Sequence, residues 1–330
     1  MFEIGSGRPR HCLKIGPHSL VWADCSRTWR GRYRYRCVMS PVPAGSIKLS
    51  PIDLNLADRP VIEERLRSLV GPARSVQFSG RVLLPDLPRS MTLLLPDLAV
   101  RATIVAFDRL PPQHDEIEAL IRWRLGQEQR LPLAGAKLIW QVFPSAQSGA
   151  NSQMVLVISI QESILGQYES LCESVGLLPQ EVGMTSFHLF NLWLKAAGRK
   201  RLERDLAWLT VLDGTLTCFI FHHGRPVFVR TKLLTGESSH SSTDDHGRED
   251  SILHETAASL HACQELHPDV HVEEMVVMTD DGLLHLDEAL SHEAGIKVDR
   301  LVWHHVHALG WNHGGGSTSM TALPAVAGMM

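Results

Sequence analysis

The 330-residue chain has no long hydrophobic run, because its apolar stretches, such as residues 154–158, are far shorter than the roughly 18–20 residues that cross a bilayer. Arg8 and Arg10 near the N-terminus are not followed by an apolar segment of roughly 7–15 residues with a small-residue cleavage site. We therefore expect neither a transmembrane helix nor a secretory signal.

Paired cysteines are also lacking. The six cysteines are dispersed and form no CxxC motif: Cys12, Cys25, Cys37, Cys172, Cys218 and Cys263. This spacing is typical of reduced thiols and not of a disulfide framework or a zinc site. The sequence therefore predicts a cytoplasmic protein.

The common catalytic motifs GxSxG, GxxxxGK[ST] and HExxH do not occur, which argues against a serine hydrolase, a P-loop NTPase and a zinc peptidase. Histidines are abundant near the C-terminus, where His304, His305, His307 and His313 could bind a metal. We predict a strand over residues 297–303 and its continuation, which would point His304 and His305 to opposite faces. We therefore expect no metal site and no catalytic residues.

The composition, 44% hydrophobic and 21% charged, is typical of a globular protein. The chain is longer than one ordinary domain of about 100–200 residues, so two or more packed units are expected. The net charge of −4 is unevenly distributed, since residues 1–40 carry eight Lys and Arg against two Asp and Glu, and residues 235–299 carry two against sixteen. Anionic lipid, nucleic acid and an acidic protein are all possible partners of the basic end.

The basic end predicts a hairpin of two strands, over residues 13–25 and 30–42. Period-two alternation places Arg30, Arg32, Arg34 and Arg36 on one face and Tyr33 and Tyr35 on the other. Because the tyrosines point away from the arginines, a surface for stacking nucleic-acid bases is disfavoured. An exposed strand face is the default interpretation, and phospholipid headgroups are the second.

Further along, the patterns predict alternating strands and helices. Helices are expected over residues 59–69, 113–127, 163–175, 187–197, 252–266 and 287–293, and strands over 80–84, 90–95, 100–107, 136–143, 154–160, 180–185, 207–212, 217–222, 227–233, 274–278 and 297–303. Residues 235–250 are rich in Ser, Asp and His and are predicted to form a mobile loop.

The most distinctive segment runs Leu95-Pro96-Asp97-Leu98-Ala99-Val100-Arg101, then Phe107-Asp108-Arg109-Leu110-Pro111, Ile121-Arg122-Trp123-Arg124-Leu125 and Leu131-Pro132-Leu133. It resembles the PilM family of type IV pilus assembly proteins, and weaker matches extend through residues 154–157, 173–182, 224–230 and 323–328. The resemblance implies an α/β fold that is actin-like (ribonuclease H-like) and two-lobed, with a small inserted α/β subdomain.

The implied organisation is a first lobe (1–133), an inserted subdomain (134–186), a connecting helix (187–204), a second lobe (205–318) and a C-terminal helix that returns to the core (319–330). The implied function is that of a cytoplasmic scaffold, peripheral at the inner membrane, which binds the N-terminal tail of a PilN-like membrane protein. Other pilus platform or motor proteins are further expected partners, self-association is left open, and nucleic acid is not expected. The alternatives are an active actin-like ATPase and a cytoplasmic component of a type II secretion platform.

Five residues of the distinctive segment are candidates for partner binding: Arg101, Phe107, Asp108, Trp123 and Arg124. The resemblance suggests that they shape a cleft near the inserted subdomain. Trp123 as core filler and Arg124 as an ordinary exposed cation are the alternative interpretations.

The resemblance also locates the nucleotide positions of an actin-like protein, and this sequence departs from each of them. Lys14-Ile15-Gly16 stands where Asp-Ile-Gly is expected, and Pro17 removes an amide donor. Asp213 is adjacent to Gly214, so along a strand it would point to the opposite face from a Mg²⁺ ligand. Asp280 and Asp281 precede Gly282 where a Gly-Gly pair would approach adenosine.

We therefore predict a degenerate ATPase with no cofactor, and ATP with Mg²⁺ is disfavoured. The alternative is that Lys14 contacts a phosphate directly, as P-loop lysines do.

Overall fold

The computed structural model describes residues 9–71, 76–78, 81–84, 88–129, 133–143, 153–234, 245–283 and 285–330. The strands are β1 (His11–Ile15), β2 (Ser19–Arg27), β3 (Tyr33–Pro41), β4 (Val76–Phe78), β5 (Arg81–Leu84), β6 (Arg89–Leu95), β7 (Arg101–Phe107), β8 (Ala136–Phe143), β9 (Gln153–Gln161), β10 (Leu177–Met184), β11 (Leu206–Leu212), β12 (Thr215–His222), β13 (Arg225–Leu233), β14 (Glu274–Thr279), β15 (Lys297–Arg300) and β16 (Trp311–Gly316). The helices are α1 (Arg59–Val70), α2 (His114–Gln129), α3 (Glu162–Glu173), α4 (Thr185–Ala197), α5 (Asp245–Leu266), α6 (Leu286–Ala294), α7 (Trp303–Ala308) and α8 (Leu323–Ala327).

Two large sheets have the same strand order. In the first lobe the order is β3-β2-β1-β6-β10, with β16 added outside β3, and in the second it is β13-β12-β11-β14-β15. Each sheet begins with three antiparallel strands and continues with two parallel ones. This repeated order is the structural counterpart of the two α/β lobes that the sequence predicts, although no sequence repeat is visible.

A third sheet, β7-β9-β8, packs against α2 and forms a small subdomain. The strand pairing differs at two points from the predicted boundaries between the first lobe and the inserted subdomain. β7 lies within the predicted first lobe but pairs with β9, whereas β10 lies within the predicted insert but pairs in parallel with β6. The physical reason is burial, because β10 places Leu177 in the core of the first lobe. The strand pairing therefore centres the small subdomain on residues 101–161.

The predicted strand over residues 13–25 is wrong, because a turn at Gly16 and Pro17 divides it into β1 and β2. The amide of Gly16 donates to the carbonyl of Ser19 at 3.0 Å, and proline cannot donate to a strand ladder. The second predicted strand begins too early, since Arg30 and Arg32 lie in the turn before β3.

Two further predictions are corrected near the C-terminus. Part of the predicted loop 235–250 is helical, because α5 begins at Asp245, and residues 235–244 lie outside the described residues. The predicted strand 297–303 ends at Arg300, and Trp303 begins α7. His304 and His305 therefore lie on a helix, which removes the argument that they point to opposite faces of a strand.

The central core joins the two lobes around α4. Trp193 on α4 packs against Trp208 on β11, with ring centroids 5.8 Å apart, and both side chains are buried. Phe190 stacks on Phe221 of β12 at 4.6 Å. The short helix α8 inserts its apolar residues into the same core, so the C-terminal segment is part of the folded body.

All six cysteines are free thiols in the structure, and five of them are buried. Burial raises the pKa of the Cys172 thiol to about 12. Among the described residues, no helix combines the length and hydropathy that a membrane span requires.

Candidate functional site

The tips of two hairpins, one from each lobe, meet between the lobes. Lys14, one residue from the end of β1, is fully buried, and its Nζ lies 2.6 Å from Oδ2 of Asp213. Asp213 lies in the turn between β11 and β12, and its side chain is 9% exposed. A buried ion pair therefore connects the lobes.

The second turn explains how Asp213 reaches the lysine. Asp213 and Gly214 form a two-residue loop with φ of 53° and 70°, a type I′ hairpin turn in which Asp-Gly is favoured. The carboxylate points toward the first lobe, so the prediction that it points to the opposite face of a strand is wrong. The turn at Gly16 is close by, since a Cβ on Gly16 would lie 2.7 Å from Asp213 Oδ2.

A second buried carboxylate, Asp97, lies at the start of a short 3₁₀ turn after β6. It accepts hydrogen bonds from the amide of Ser186, at 3.1 Å, and from the Ser186 hydroxyl at the start of α4. Burial raises the pKa of Asp97, the hydrogen bonds from Ser186 lower it, and the nearby Asp213 carboxylate raises it. Sequence reasoning missed Ser186 and assigned no role to Asp97, although Asp97 lies only two residues after the end of the buried strand β6.

The third predicted nucleotide position lies at the end of β14, next to the same sheet end, because the amide of Asp280 donates to the carbonyl of Val211 at 3.2 Å. Asp280 accepts two hydrogen bonds from Arg248 of α5, at 2.9 and 3.1 Å. Asp281 accepts from the amide of Met320 at 3.1 Å. Gly282 has a φ of 112°, a backbone conformation that favours glycine.

The arrangement has a chemical consequence for the cleft. The Lys14 ammonium and the Asp213 carboxylate, at two of the predicted nucleotide positions, are in direct contact with each other. Asp280, which could disfavour an anion, is instead bound to Arg248, and Asp281 fixes the C-terminal segment.

An apolar groove lies between the small subdomain and the first lobe. Its cavity volume is about 350 Å³. It is lined by β8, β9 and β10 and by α4, with Leu138, Ile139, Ile158, Ile160, Val182, Met184 and Phe187 among the apolar side chains. Lys137, Glu181 and His188 add charged or polar groups, and His188 Nε2 lies 3.7 Å from Glu181 Oε1.

Two of the strands that line this groove, β8 and β10, are edge strands. Among the described residues, β8 pairs only with β9, and β10 pairs only with β6. An edge strand presents backbone N–H and C=O groups that can pair with another extended chain. The groove therefore combines an apolar lining with two free sheet edges.

None of the five predicted partner-binding residues lines this groove. Phe107 is buried in the core of the small subdomain, and Trp123 is 59% exposed on α2. Asp108 is exposed, Arg101 and Arg124 are half-buried, and burial lowers the pKa of Arg101. The structure disperses these residues over the subdomain, and their role stays a prediction. The residues of β8 and β10 were missed because a sheet edge has no sequence signature.

A small cluster of possible metal ligands lies at the far end of the second lobe. One ligand atom each from Asp205, His222 and His223 lie within 4.8 Å of one another. Nδ1 of His222 lies 2.8 Å from Asp205 Oδ1, and Nδ1 of His223 donates to the carbonyl of Glu203 at 2.7 Å. These hydrogen bonds explain the positions of both imidazole rings without a metal ion, so we do not assign a metal to the cluster.

Comparison with known proteins identifies the class of fold. No family model matches the sequence, and no curated protein matches it. Among solved structures, the chain superposes on the "PilM-PilN type IV pilus biogenesis complex" with a TM-score of 0.69 and 16% identity, over 98% of this chain and 100% of the other. The predicted actin-like, two-lobed α/β fold is thereby confirmed.

Two more distant structures are also similar. One is a Bacteroides thetaiotaomicron protein of unknown function with an actin-like ATPase fold (TM-score 0.47, 9% identity, 91% of this chain and 95% of the other). The other is the cytoplasmic domain of EpsL, an inner-membrane component of the type II secretion system of Vibrio cholerae (TM-score 0.44, 11% identity, 86% and 93%).

Proposed function

We propose that the protein is a non-catalytic, actin-like scaffold of a type IV pilus assembly platform that captures an extended apolar segment of a PilN-like membrane protein. The apolar groove between β8 and β10 is the observation that carries this proposal. Capture of a membrane protein's tail would hold the scaffold at the cytoplasmic face of the inner membrane. Contacts with other platform or motor proteins, and self-association, stay predictions.

An extended segment suits the groove better than a helix. A strand laid along β8 or β10 satisfies its backbone through main-chain hydrogen bonds, while alternate side chains enter the apolar lining. Ile139 on β8 is 56% exposed, an unfavourable state for an isoleucine that a bound apolar side chain would relieve.

The contact between Lys14 and Asp213 supports the non-catalytic part of the proposal. An active site of this class needs carboxylates free to organise Mg²⁺ and water, whereas Asp213 is bound to a buried lysine. The residues present do not fit a nucleotide with Mg²⁺, because the position of the first carboxylate holds a cation. We therefore assign no phosphoryl-transfer step to this protein.

Peptide binding tests the proposed partner. A fluorescein-labelled peptide from the N-terminal tail of a PilN-like protein should bind the full chain in fluorescence anisotropy. Ile139→Asp should weaken binding at least tenfold, because it places a carboxylate in the apolar groove. Val142→Asp is the matched control, since Val142 is 37% exposed on the same strand and does not line the groove.

Equal affinity of the Ile139→Asp and Val142→Asp variants, or no binding at high micromolar concentration, would contradict the groove assignment.

Calorimetry with ATP and ADP, with and without Mg²⁺, tests the proposal that the protein is non-catalytic. No heat is expected from the folded protein. Saturable Mg²⁺-dependent binding in the micromolar range would restore the ATPase alternative and assign Lys14 to a phosphate.

A further inference from the structure

A second surface lies on the hairpin formed by β2 and β3, here called the arginine hairpin (residues 27–36). Its five arginines, Arg27, Arg30, Arg32, Arg34 and Arg36, are all exposed. The sequence contains no Asp or Glu between residues 25 and 52. Within the described part of the chain, none of the five guanidinium groups forms an ion pair with a carboxylate. Asp24 lies opposite Arg36 in the strand register, so the uncompensated positive charge is concentrated toward the tip of the hairpin, from Arg27 to Arg34.

The tip of this hairpin also exposes a tryptophan. Trp29 is 89% exposed, and the Arg30 guanidinium lies 4.7 Å from its ring centroid. The turn that carries it is well defined, because the Thr28 amide donates to the Arg32 carbonyl at 2.7 Å and the Gly31 amide donates to the Thr28 carbonyl at 2.9 Å. Gly31 has a φ of 78°, which this turn requires. An ordered turn thus holds a large apolar ring in water.

The hairpin is well separated from the groove and from the interlobe cleft. β3 lies toward one edge of the six-stranded sheet and β10 forms the other edge. The tip lies at the opposite end of β2 from the Gly16 turn, about 26 Å away for eight strand steps of about 3.3 Å. A surface bound at the tip would leave the groove accessible.

From these observations we infer that the arginine hairpin binds an anionic lipid surface directly. The arginines contact phosphate groups of the lipid heads, and Trp29 enters the interfacial layer, where amphipathic aromatic rings are favoured. Nucleic acid is the less suitable anion because successive bases need several free aromatic faces. Tyr33 is stacked on Trp311 at 4.8 Å, and Tyr35 is buried, so Trp29 is the one of these three rings that is mostly exposed.

This inference goes beyond the proposed function, because the chain itself contacts lipid without its protein partner. A vesicle experiment that contains no partner therefore fails or succeeds independently of the peptide experiment. It also assigns an orientation to the scaffold, with the first lobe's hairpin toward the bilayer.

Vesicle flotation with the full chain tests the inference. The protein should float with phosphatidylcholine vesicles that contain 30 mol% phosphatidylglycerol, not with pure phosphatidylcholine vesicles, and about 0.5 M salt should release it because the charges are screened. Replacing both Arg30 and Arg32 with Ser should lower the partition coefficient about twenty-fivefold, since each basic residue near an anionic surface contributes roughly fivefold. Trp29→Ser should lower it severalfold.

Matched controls exist elsewhere on the surface. Trp123→Ser removes another exposed tryptophan, and Arg204→Ser removes an arginine whose side chain is 71% exposed. Neither should change flotation, and all variants should keep the unfolding temperature of the parent protein. Equal binding to neutral vesicles, equal loss in the controls, or tighter binding to a single-stranded oligonucleotide than to the anionic vesicles would overturn the inference.

Discussion

Lys14 Nζ lies 2.6 Å from Asp213 Oδ2, and this contact joins the first strand of one lobe to the first hairpin turn of the other. Burying two charges costs about as much free energy as their attraction returns, so the intact pair adds little net stability. Removal of one partner is different, because it leaves the other charge buried without its counter-ion. The ion pair therefore acts mainly to fix how the two hairpins meet.

Replacement of Lys14 by methionine should destabilise the protein by about 3–5 kcal/mol, because the Asp213 carboxylate would be left in the cleft without its cation. Urea unfolding at pH 7 measures this loss as the difference in unfolding free energy between the variant and the parent protein. Lys14→Met combined with Asp213→Asn should lose less than the single variant, since both charges are gone. Lys48→Met, at an exposed lysine of the same lobe, should change stability by less than about 0.5 kcal/mol. A loss below about 1 kcal/mol in the single variant would contradict a tight interlobe ion pair.

Gly16→Ala should disturb the contact between the two hairpin tips. The new Cβ would lie 2.7 Å from Asp213 Oδ2, closer than van der Waals contact allows, so either the Asp213 side chain must leave its position beside Lys14 or one of the two turns must move. We expect a loss of about 1–3 kcal/mol in urea unfolding. Gly126→Ala is the control, because Gly126 lies on α2 with no atom within 4 Å of a new Cβ, and alanine there should stabilise the helix by up to about 1 kcal/mol. Equal effects of the two substitutions would contradict the contact.

Asp97→Asn should make the protein more stable at neutral pH relative to the parent. Burial raises the pKa of Asp97 in the folded state above its ordinary value near 3.8. The stability linked to the protonated carboxyl is therefore fully present below the unfolded pKa and is lost as the pH rises through the folded pKa. Asparagine stays neutral and can still accept a hydrogen bond from the Ser186 amide and donate one to its hydroxyl.

The measurement is the difference in unfolding free energy between the Asp97→Asn variant and the parent protein across pH 4 to 7. This difference should move in favour of the variant as the pH rises. Asp108→Asn, at an exposed carboxylate after β7, should show no such trend. A difference that moves in favour of the parent protein with rising pH would show that the charged form of Asp97 is the stabilising one.

Local patterns in the sequence predicted most elements because those elements depend on short-range alternation. In β3, for example, Arg34 and Arg36 are exposed while Tyr35 and Cys37 are buried, as period-two alternation requires. The sequence pattern predicts one strand where the structure has β1 and β2, because residues 13–15 and 20–23 are both mainly apolar and only Gly16 and Pro17 signal the turn between them.

The site was harder to predict, because its geometry comes from contacts between distant segments. Lys14 was recognised as a substitution of a carboxylate, but its pairing with Asp213 depends on how two hairpins face each other across the lobes. The groove depends on which strands are left at the sheet edges, a property of the topology and not of residue type. The five partner-binding candidates of the distinctive segment stay a prediction, and the residues that line the groove come instead from other strands, among them β8 and β10.

A variant of Arg122 can distinguish peptide binding in the groove from peptide binding at the residues predicted from the sequence, which include Trp123 on α2. Its guanidinium donates to Glu118 at 2.8 Å, to the Leu133 carbonyl at 3.1 Å and to the Ala136 carbonyl at 2.8 Å, so it connects α2 to the start of β8. Arg122→Gln should weaken the attachment of β8, which lines the groove, to α2. Binding of the PilN-like peptide in fluorescence anisotropy should then fall about threefold to tenfold, which corresponds to the net free energy of roughly one hydrogen bond. Arg109→Gln, at an exposed arginine of the same subdomain, should leave the affinity unchanged. If the peptide instead contacts the exposed face of α2, Trp123→Ala will reduce the affinity more than Arg122→Gln, and the partner site will have to be moved from the groove to that helix.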